Sequence, residues 1–303
     1  MIELVLDSYY RQGSTILFKI LELSNPDKIV LCEPFHEGLF KILKKVHVGT
    51  IDPLHKIPIW DGYFKLSKNI LTRLEKIHTK VARQCPFIIN FNDVKEYLDI
   101  LHEIDKSIIF KSVRAYFILD KIKRRYNCKT IHIVRNPANT WIDFLHTSIT
   151  DNEELFWKVT TTNYLWNDVS GSFYLGDLYE AIRKYFDLPK ARTNYERFIT
   201  CWVITNYHGI INSDVQIIYE CVLYKRERYF KYLNMLLGKN YFDLKYSHLP
   251  DAALALKHQH RVSRLRILMY RILYEFGLEK YYKTIYEKAI TTLSNWQIPN
   301  KWY

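Results

Sequence analysis

The first fifteen residues constrain this chain more than any other stretch. Ile2, Leu4, Val5 and Leu6 form a short apolar run, a polar segment ends in Arg11-Gln12-Gly13-Ser14-Thr15, and apolar residues at helical spacing continue to Glu22. This order predicts a strand, a loop and a helix. Such a turn aims backbone N–H groups and the positive end of the helix dipole into the loop, and Ser14 and Thr15 add hydroxyl donors, which suits phosphate or sulfate. Ser and Thr also cap helices with no ligand present, so the loop alone leaves both readings open. It is not a Walker A loop, which needs an earlier glycine and a lysine directly after the second one, and neither is present. That weighs against an ATP kinase.

Other strand-like runs end in chemistry. Lys28 to Leu31 leads into Cys32-Glu33-Pro34-Phe35-His36, Ser107 to Lys111 leads into Ser112-Val113-Arg114, and Lys129 to Val134 leads into Arg135-Asn136-Pro137. In a parallel sheet with right-handed crossovers, the loops after the strands collect at one edge, where ligands bind. Arg11, Glu33, Lys111 and Arg135 should therefore meet. Lys111 and Arg114 are read either as site residues or as charges at a helix start.

Through RQGSTILFKIL, IVLCEPFH, IIFKSVR and KTIHIVRNPANTW, in that order, the first half of the chain resembles the PAPS-dependent sulfotransferases, closest to their carbohydrate branch. A late VQIIYECVL is similar to that family's strand ending in a Tyr-Glu pair. The resemblance implies a P-loop-NTPase-like sulfotransferase fold and PAPS (3'-phosphoadenosine 5'-phosphosulfate) as donor, with no metal required. It implies that Tyr10, Arg11, Gln12, Gly13, Ser14 and Thr15 hold the 5'-phosphosulfate, and that Arg135 binds the 3'-phosphate. In one place the chain departs from the pattern: eight residues beyond Arg135 the family usually has a serine, and here Asp143 stands there. An aspartate would repel a phosphate, so either Thr140 or Thr147 takes the serine's role or the nucleotide pocket is altered.

Sulfuryl transfer needs positioning and charge stabilisation above all. Arg11 is assigned to the leaving oxygen, because its guanidinium can grip phosphate and bridging oxygen together. Glu33 is the first choice as general base for the acceptor hydroxyl, His36 the second and Glu37 the third; the alternative for Glu33 is an ion pair bracing Arg11. The acceptor reads as carbohydrate or glycolipid. A P-loop-like nucleotide kinase and a non-catalytic polyanion-binding member are the competing readings.

A net charge of +12, from 44 Lys and Arg against 32 Asp and Glu, fits an anionic partner or merely a soluble basic protein. No helix-turn-helix, RRM-like or zinc-finger signature is present, so no nucleic-acid partner is expected. Five cysteines without a CxxC pair, no leader-like segment and no apolar run of membrane-spanning length lead to the expectation of a cytoplasmic protein, with peripheral membrane contact left open. Oligomeric state is not legible.

With only 9 glycines and 9 prolines and no repeats, the chain reads as a single domain over 1–303. The expected fold is a three-layer α/β/α arrangement around a mostly parallel sheet, with a nucleotide-binding core to about 235 and a helical extension over about 236–303. Helices are expected over 35–48, Leu66–Val81, from Asn92 to about Glu103, Ala115–Arg125, Lys225–Leu237, Arg264–Phe276 and Glu279–Leu293. An extended run is expected over 86–90, and long loops over 49–64 and 246–260. Trp60 and Tyr63 are read as packing or as a sugar platform, and Trp157, Trp166 and Trp202 as core. Arg261 is a further candidate for the nucleotide phosphates.

Overall fold

The computed structural model describes residues 1–53, 56–83, 87, 90–145, 147–164, 175–248 and 254–298. The apolar runs read as strands become five: β1 (Ile2–Ser8), β2 (Ile29–Cys32), β3 (Ile108–Ser112), β4 (Lys129–Val134) and β5 (Val215–Ile218). They form one parallel sheet in the order β2-β3-β1-β4-β5. Strands covered on both faces read as continuous apolar sequence, and Leu4, Val5, Leu6, Val30, Leu31, Ile131 and Ile133 are all fully buried.

Helices cover both faces. After β1 the chain steps towards one edge through α1 (Ser14–Ser24), which packs on β1 and β2. Between β2 and β3 lie α2 (Leu39–Leu43), α3 (Lys68–Ala82) and α4 (Asn92–His102). After β3 it steps the other way through α5 (Leu119–Tyr126), which packs on β4. Right-handed crossovers in opposite directions place α1 and α5 on opposite faces. Between β4 and β5 run α6 (Pro137–Phe144), α7 (Thr147–Thr150), α8 (Glu153–Thr161), α9 (Leu175–Tyr185) and α10 (Asn194–Asn212), the last touching β1, β4 and α5. The chain reverses its winding direction at β1, and the loop after that strand lies in the crevice where open α/β sheets bind ligands.

The chain after β5 begins with α11 (Tyr219–Leu237), which packs on β4 and β5, followed by α12 (Val262–Glu275) and α13 (Glu279–Asn295), both packed on α10. Several boundaries differ from expectation. Over 35–48 only Leu39–Leu43 is helical, because Glu33 takes a left-handed φ of 49° and His36 Nδ1 accepts the Gly38 N–H, which consumes the preceding segment in a turn. Helix α11 starts six residues early and bends at Lys225, whose φ of −141° is not helical. The expected loops hold 3-10 turns at Asp61–Lys65, Leu244–Tyr246 and Leu254–Arg261. The extended run over 86–90 lies mostly outside the described residues, as do Cys85 and Trp166.

Candidate active site

The loop after β1 is held from below. Gln12 is fully buried; its Oε1 accepts the Tyr9 N–H at 3.0 Å and its Nε2 donates to Asn206 Oδ1 at 2.9 Å. Its side chain therefore anchors the loop and leaves only its backbone for a ligand. Asn206 Oδ1 also faces His132 Nε2 at 3.2 Å, and Asn206 Nδ2 donates to the Trp202 carbonyl. An amide oxygen can only accept, so His132 Nε2 carries a hydrogen. His132 Nδ1 then meets Asp7 Oδ2 at 2.8 Å, with one proton shared between two fully buried groups. Burial pushes the Asp7 carboxyl up, against the pull of His132. A Cβ on Gly209 would overlap the His132 ring. Gly209→Ala is therefore expected to lower stability by about 1–3 kcal/mol, read as a reduced midpoint in urea at unchanged slope.

Above this network the loop is shaped for an anion. Arg11 (φ 61°) and Gly13 (φ 84°) are both left-handed, Gly13 is the residue before α1, and no side chain caps that helix. Leu17 N–H bonds to Gly13 O, and among the described residues the N–H groups of Ser14, Thr15 and Ile16 have no acceptor. Three unpaired donors at a helix start are what an anionic oxygen needs. Ser14 is buried, Thr15 partly so, and the Arg11 side chain is exposed at the rim. Tyr10 sits beside the loop with its ring edge-on to Tyr9.

Two charged clusters flank the loop. In the first, Glu33 is 7% exposed; its Oε1 accepts from Lys111 Nζ at 2.5 Å and its Oε2 from Arg114 Nη1 at 3.2 Å and from the Val113 N–H at 3.3 Å. Glu37 Oε2 accepts from Arg114 Nη2 at 3.1 Å. Burial alone would raise the Glu33 carboxyl, but Lys111 and Arg114 outweigh it and hold it below the ordinary range. Glu33 thus braces Lys111 and Arg114, not Arg11, and a carboxylate so held is a weak base. His36 lies 3.8 Å from Glu37 through Nε2. Its Nδ1 lone pair is used by the Gly38 N–H, so the neutral ring carries its proton on Nε2. Burial and Arg114 keep the ring neutral by lowering its pKa.

In the second cluster Arg135, 3% exposed, donates through Nη1 to the Arg11 carbonyl at 3.0 Å and pairs with Asp143 Oδ2 at 2.5 Å. Its guanidinium lies 5.3 Å from the Tyr219 ring centre, and that ring packs on Gly13. Glu220 Oε1 accepts the Asn136 N–H at 2.9 Å, and Asn136 caps α6. The Tyr-Glu pair after β5 therefore supports both the loop after β1 and the turn after β4. Thr140 is fully buried with its hydroxyl on the Asn136 carbonyl, while Thr147 is exposed.

Other candidates lie elsewhere. Arg261 is buried against the Phe156 ring and bonded to Glu153 and to the Thr150 carbonyl, so it ties the 254–261 turn to α7 and α8. Trp60 and Tyr63 are buried core residues; Tyr63 Oη donates to the Cys32 carbonyl beneath β2, and the Trp60 ring packs on Tyr63 and His36. Trp202 is core, and Trp157 is half-buried under Arg264. A groove of about 720 Å³ lined by Ser24, Phe64 and Tyr246 sits at the far end of α1 from the loop. Among the described residues no group of three His, Cys, Asp or Glu is placed to hold a metal ion, and no helix is long and apolar enough to cross a membrane.

Sequence reasoning missed Asp7, His132 and Asn206. The first two stand as polar residues inside the buried strand runs LVLDS and TIHIV, and that interruption was the available signal.

No family model matches the chain. It is 28% identical over 271 residues to an uncharacterized protein of Archaeoglobus fulgidus, covering 82% of this chain and 87% of that one. Among solved structures it is similar to a sulfotransferase from Alicyclobacillus acidocaldarius, at 12% identity and TM-score 0.39, covering 89% of this chain and 96% of that one. It is similar to the sulfotransferase domain from the curacin biosynthetic pathway, at 15% identity and TM-score 0.41, covering 82% and 78%. A mouse sulfotransferase complexed with PAP is similar at 13% identity and TM-score 0.32, covering 84% of this chain and 62% of that one.

Proposed function

We propose that the protein is a sulfotransferase that moves a sulfuryl group from an adenosine 5'-phosphosulfate-type donor, the class to which the PAPS of the motif resemblance belongs, to a hydroxyl acceptor of carbohydrate or glycolipid type. The observation that carries this reading is the uncapped, left-handed loop at Arg11–Gly13, with the N–H groups of Ser14, Thr15 and Ile16 facing it and Arg11 and Arg135 beside it.

In the transfer the bond from sulfur to the bridging phosphate oxygen breaks and a bond from sulfur to the acceptor oxygen forms. The acceptor loses a proton, and the nucleotide leaves with a 5'-phosphate. The loop N–H groups and Arg11 stabilise charge on that phosphate as it departs. On the acceptor side, Lys111 and Arg114 place positive charge near the sulfuryl oxygens, and Glu33 fixes both cations. Because Glu33 and His36 each have their accepting atoms engaged, proton removal by either requires one hydrogen bond to be exchanged for the acceptor's. A loose transition state demands little of the base until late, so this arrangement fits positioning better than strong base catalysis.

The test offers purified protein sulfur-labelled adenosine 5'-phosphosulfate, with and without a 3'-phosphate, together with glycan, glycolipid and phenol acceptors. Label should appear in an acceptor with at least one donor, and Arg11→Ala should lower the rate by roughly 10²–10³-fold. Tighter binding of ADP with Mg²⁺ than of either phosphosulfate would favour the kinase reading. Binding only to long polyanions would favour the non-catalytic one.

A further inference from the structure

The cation assigned to the 3'-phosphate already has an anion. Arg135 Nη1 is saturated by the Arg11 carbonyl at 3.0 Å and Asp143 Oδ2 at 2.5 Å. Its Nε–H is buried and has no partner among the described residues. Thr140, the neutral residue that could have shared a phosphate, turns its hydroxyl to the Asn136 carbonyl and is fully buried. Burial lowers the Arg11 pKa, and the Asp143 charge opposes that, so the carboxylate paired with Arg135 is also felt at Arg11.

A group placed beside this pair meets the Asp143 carboxylate, which can only accept. A hydroxyl can donate to it. A phosphate dianion only accepts, and it would stand against a carboxylate in a buried setting where like charges are poorly screened.

We propose that Asp143 is a specificity-determining residue that selects a nucleotide with a free ribose 3'-hydroxyl, so that the donor of this protein is adenosine 5'-phosphosulfate itself and the product is 5'-AMP. This rests on the donor reading above, from which Arg135 takes its place beside the ribose. The overall step balances as acceptor hydroxyl plus adenosine 5'-phosphosulfate giving sulfate ester, 5'-AMP and a proton. No further reactant is needed.

The experiment is a calorimetric titration of 5'-AMP and of adenosine 3',5'-bisphosphate, at fixed physiological salt, into wild type, Asp143→Ser and Asp143→Asn. The wild type should bind 5'-AMP at least as tightly as the bisphosphate. Either substitution should shift the affinity ratio towards the bisphosphate by tenfold or more, with bisphosphate affinity rising while 5'-AMP affinity falls. Using the ratio, with two variants, separates specificity from a general loss of fold, which would weaken both ligands together. A wild type that prefers the bisphosphate, or a ratio that stays within threefold in both variants, overturns the proposal while leaving the sulfotransferase reading intact. Binding of neither nucleotide to folded wild type overturns both.

Discussion

Replacing Glu33 by glutamine is expected to destabilise the protein by about 3–5 kcal/mol, the cost of removing one member of a buried ion cluster, which strands Lys111 and leaves Arg114 with Glu37 alone. Lys111 and Arg114 are 4% and 1% exposed, so water cannot take over the role of the lost carboxylate. Glutamine keeps the shape of the side chain and one acceptor oxygen, which makes the result a measure of charge and not of a cavity. The pH dependence carries the sign. Glu33 is held below its ordinary value of 4.5, so its contribution is complete above that value and is lost as pH falls through the lower folded-state value. The gap between wild type and Glu33→Gln in chemical denaturation should therefore be full at pH 6–7 and close progressively below about pH 4. A gap that is constant with pH would show that the ion cluster is not its source. The double variant Glu33→Gln, Lys111→Met supplies a second check, since removing the stranded ammonium should restore part of the loss.

This cluster also marks what could be read in the sequence and what could not. Strand runs, their parallel order and the convergence of their ends follow from apolar patterning and the handedness of crossovers, both of which are local or nearly so. Arg11, Glu33, Lys111 and Arg135 could thus be placed at one edge from the sequence alone. Their pairing could not, because whether Glu33 meets Arg11 or Lys111 depends on which strands are neighbours. β2 lies beside β3, with Cys32 aligned to Lys111, and β1 is one strand further away. The same limit explains Asp143. Seen as a sequence it is a misplaced charge near a phosphate site; in the fold, α6 returns it to within 2.5 Å of Arg135, where it is an ion-pair partner. The helix expected over 35–48 failed for a different reason. Its apolar spacing is helical, but the turn at Glu33–Gly38 is set by a left-handed glutamate and a histidine side chain, neither of which periodicity registers.

Gly13→Ala is expected to have the second large effect, and it separates the loop's shape from the fold around it. Two terms add. A φ of 84° costs a Cβ-bearing residue about 1–2 kcal/mol. The new methyl group would also overlap the Tyr219 ring, which is fully buried and cannot swing away without disturbing Arg135 above it; overpacking of this kind costs about 1–3 kcal/mol. The sum, about 2–5 kcal/mol, should appear as a lower denaturation midpoint. Nucleotide affinity should fall by tenfold or more in protein that is still folded, because the N–H groups of Ser14, Thr15 and Ile16 are aimed only while Gly13 keeps its conformation. Placing Gly13→Ala in a Tyr219→Leu background tells the terms apart. If the clash dominates, the alanine costs clearly less stability there than in wild type, since the ring it strikes is gone. If the backbone term dominates, the cost is the same in both backgrounds, and in each the nucleotide affinity lost through the alanine remains lost.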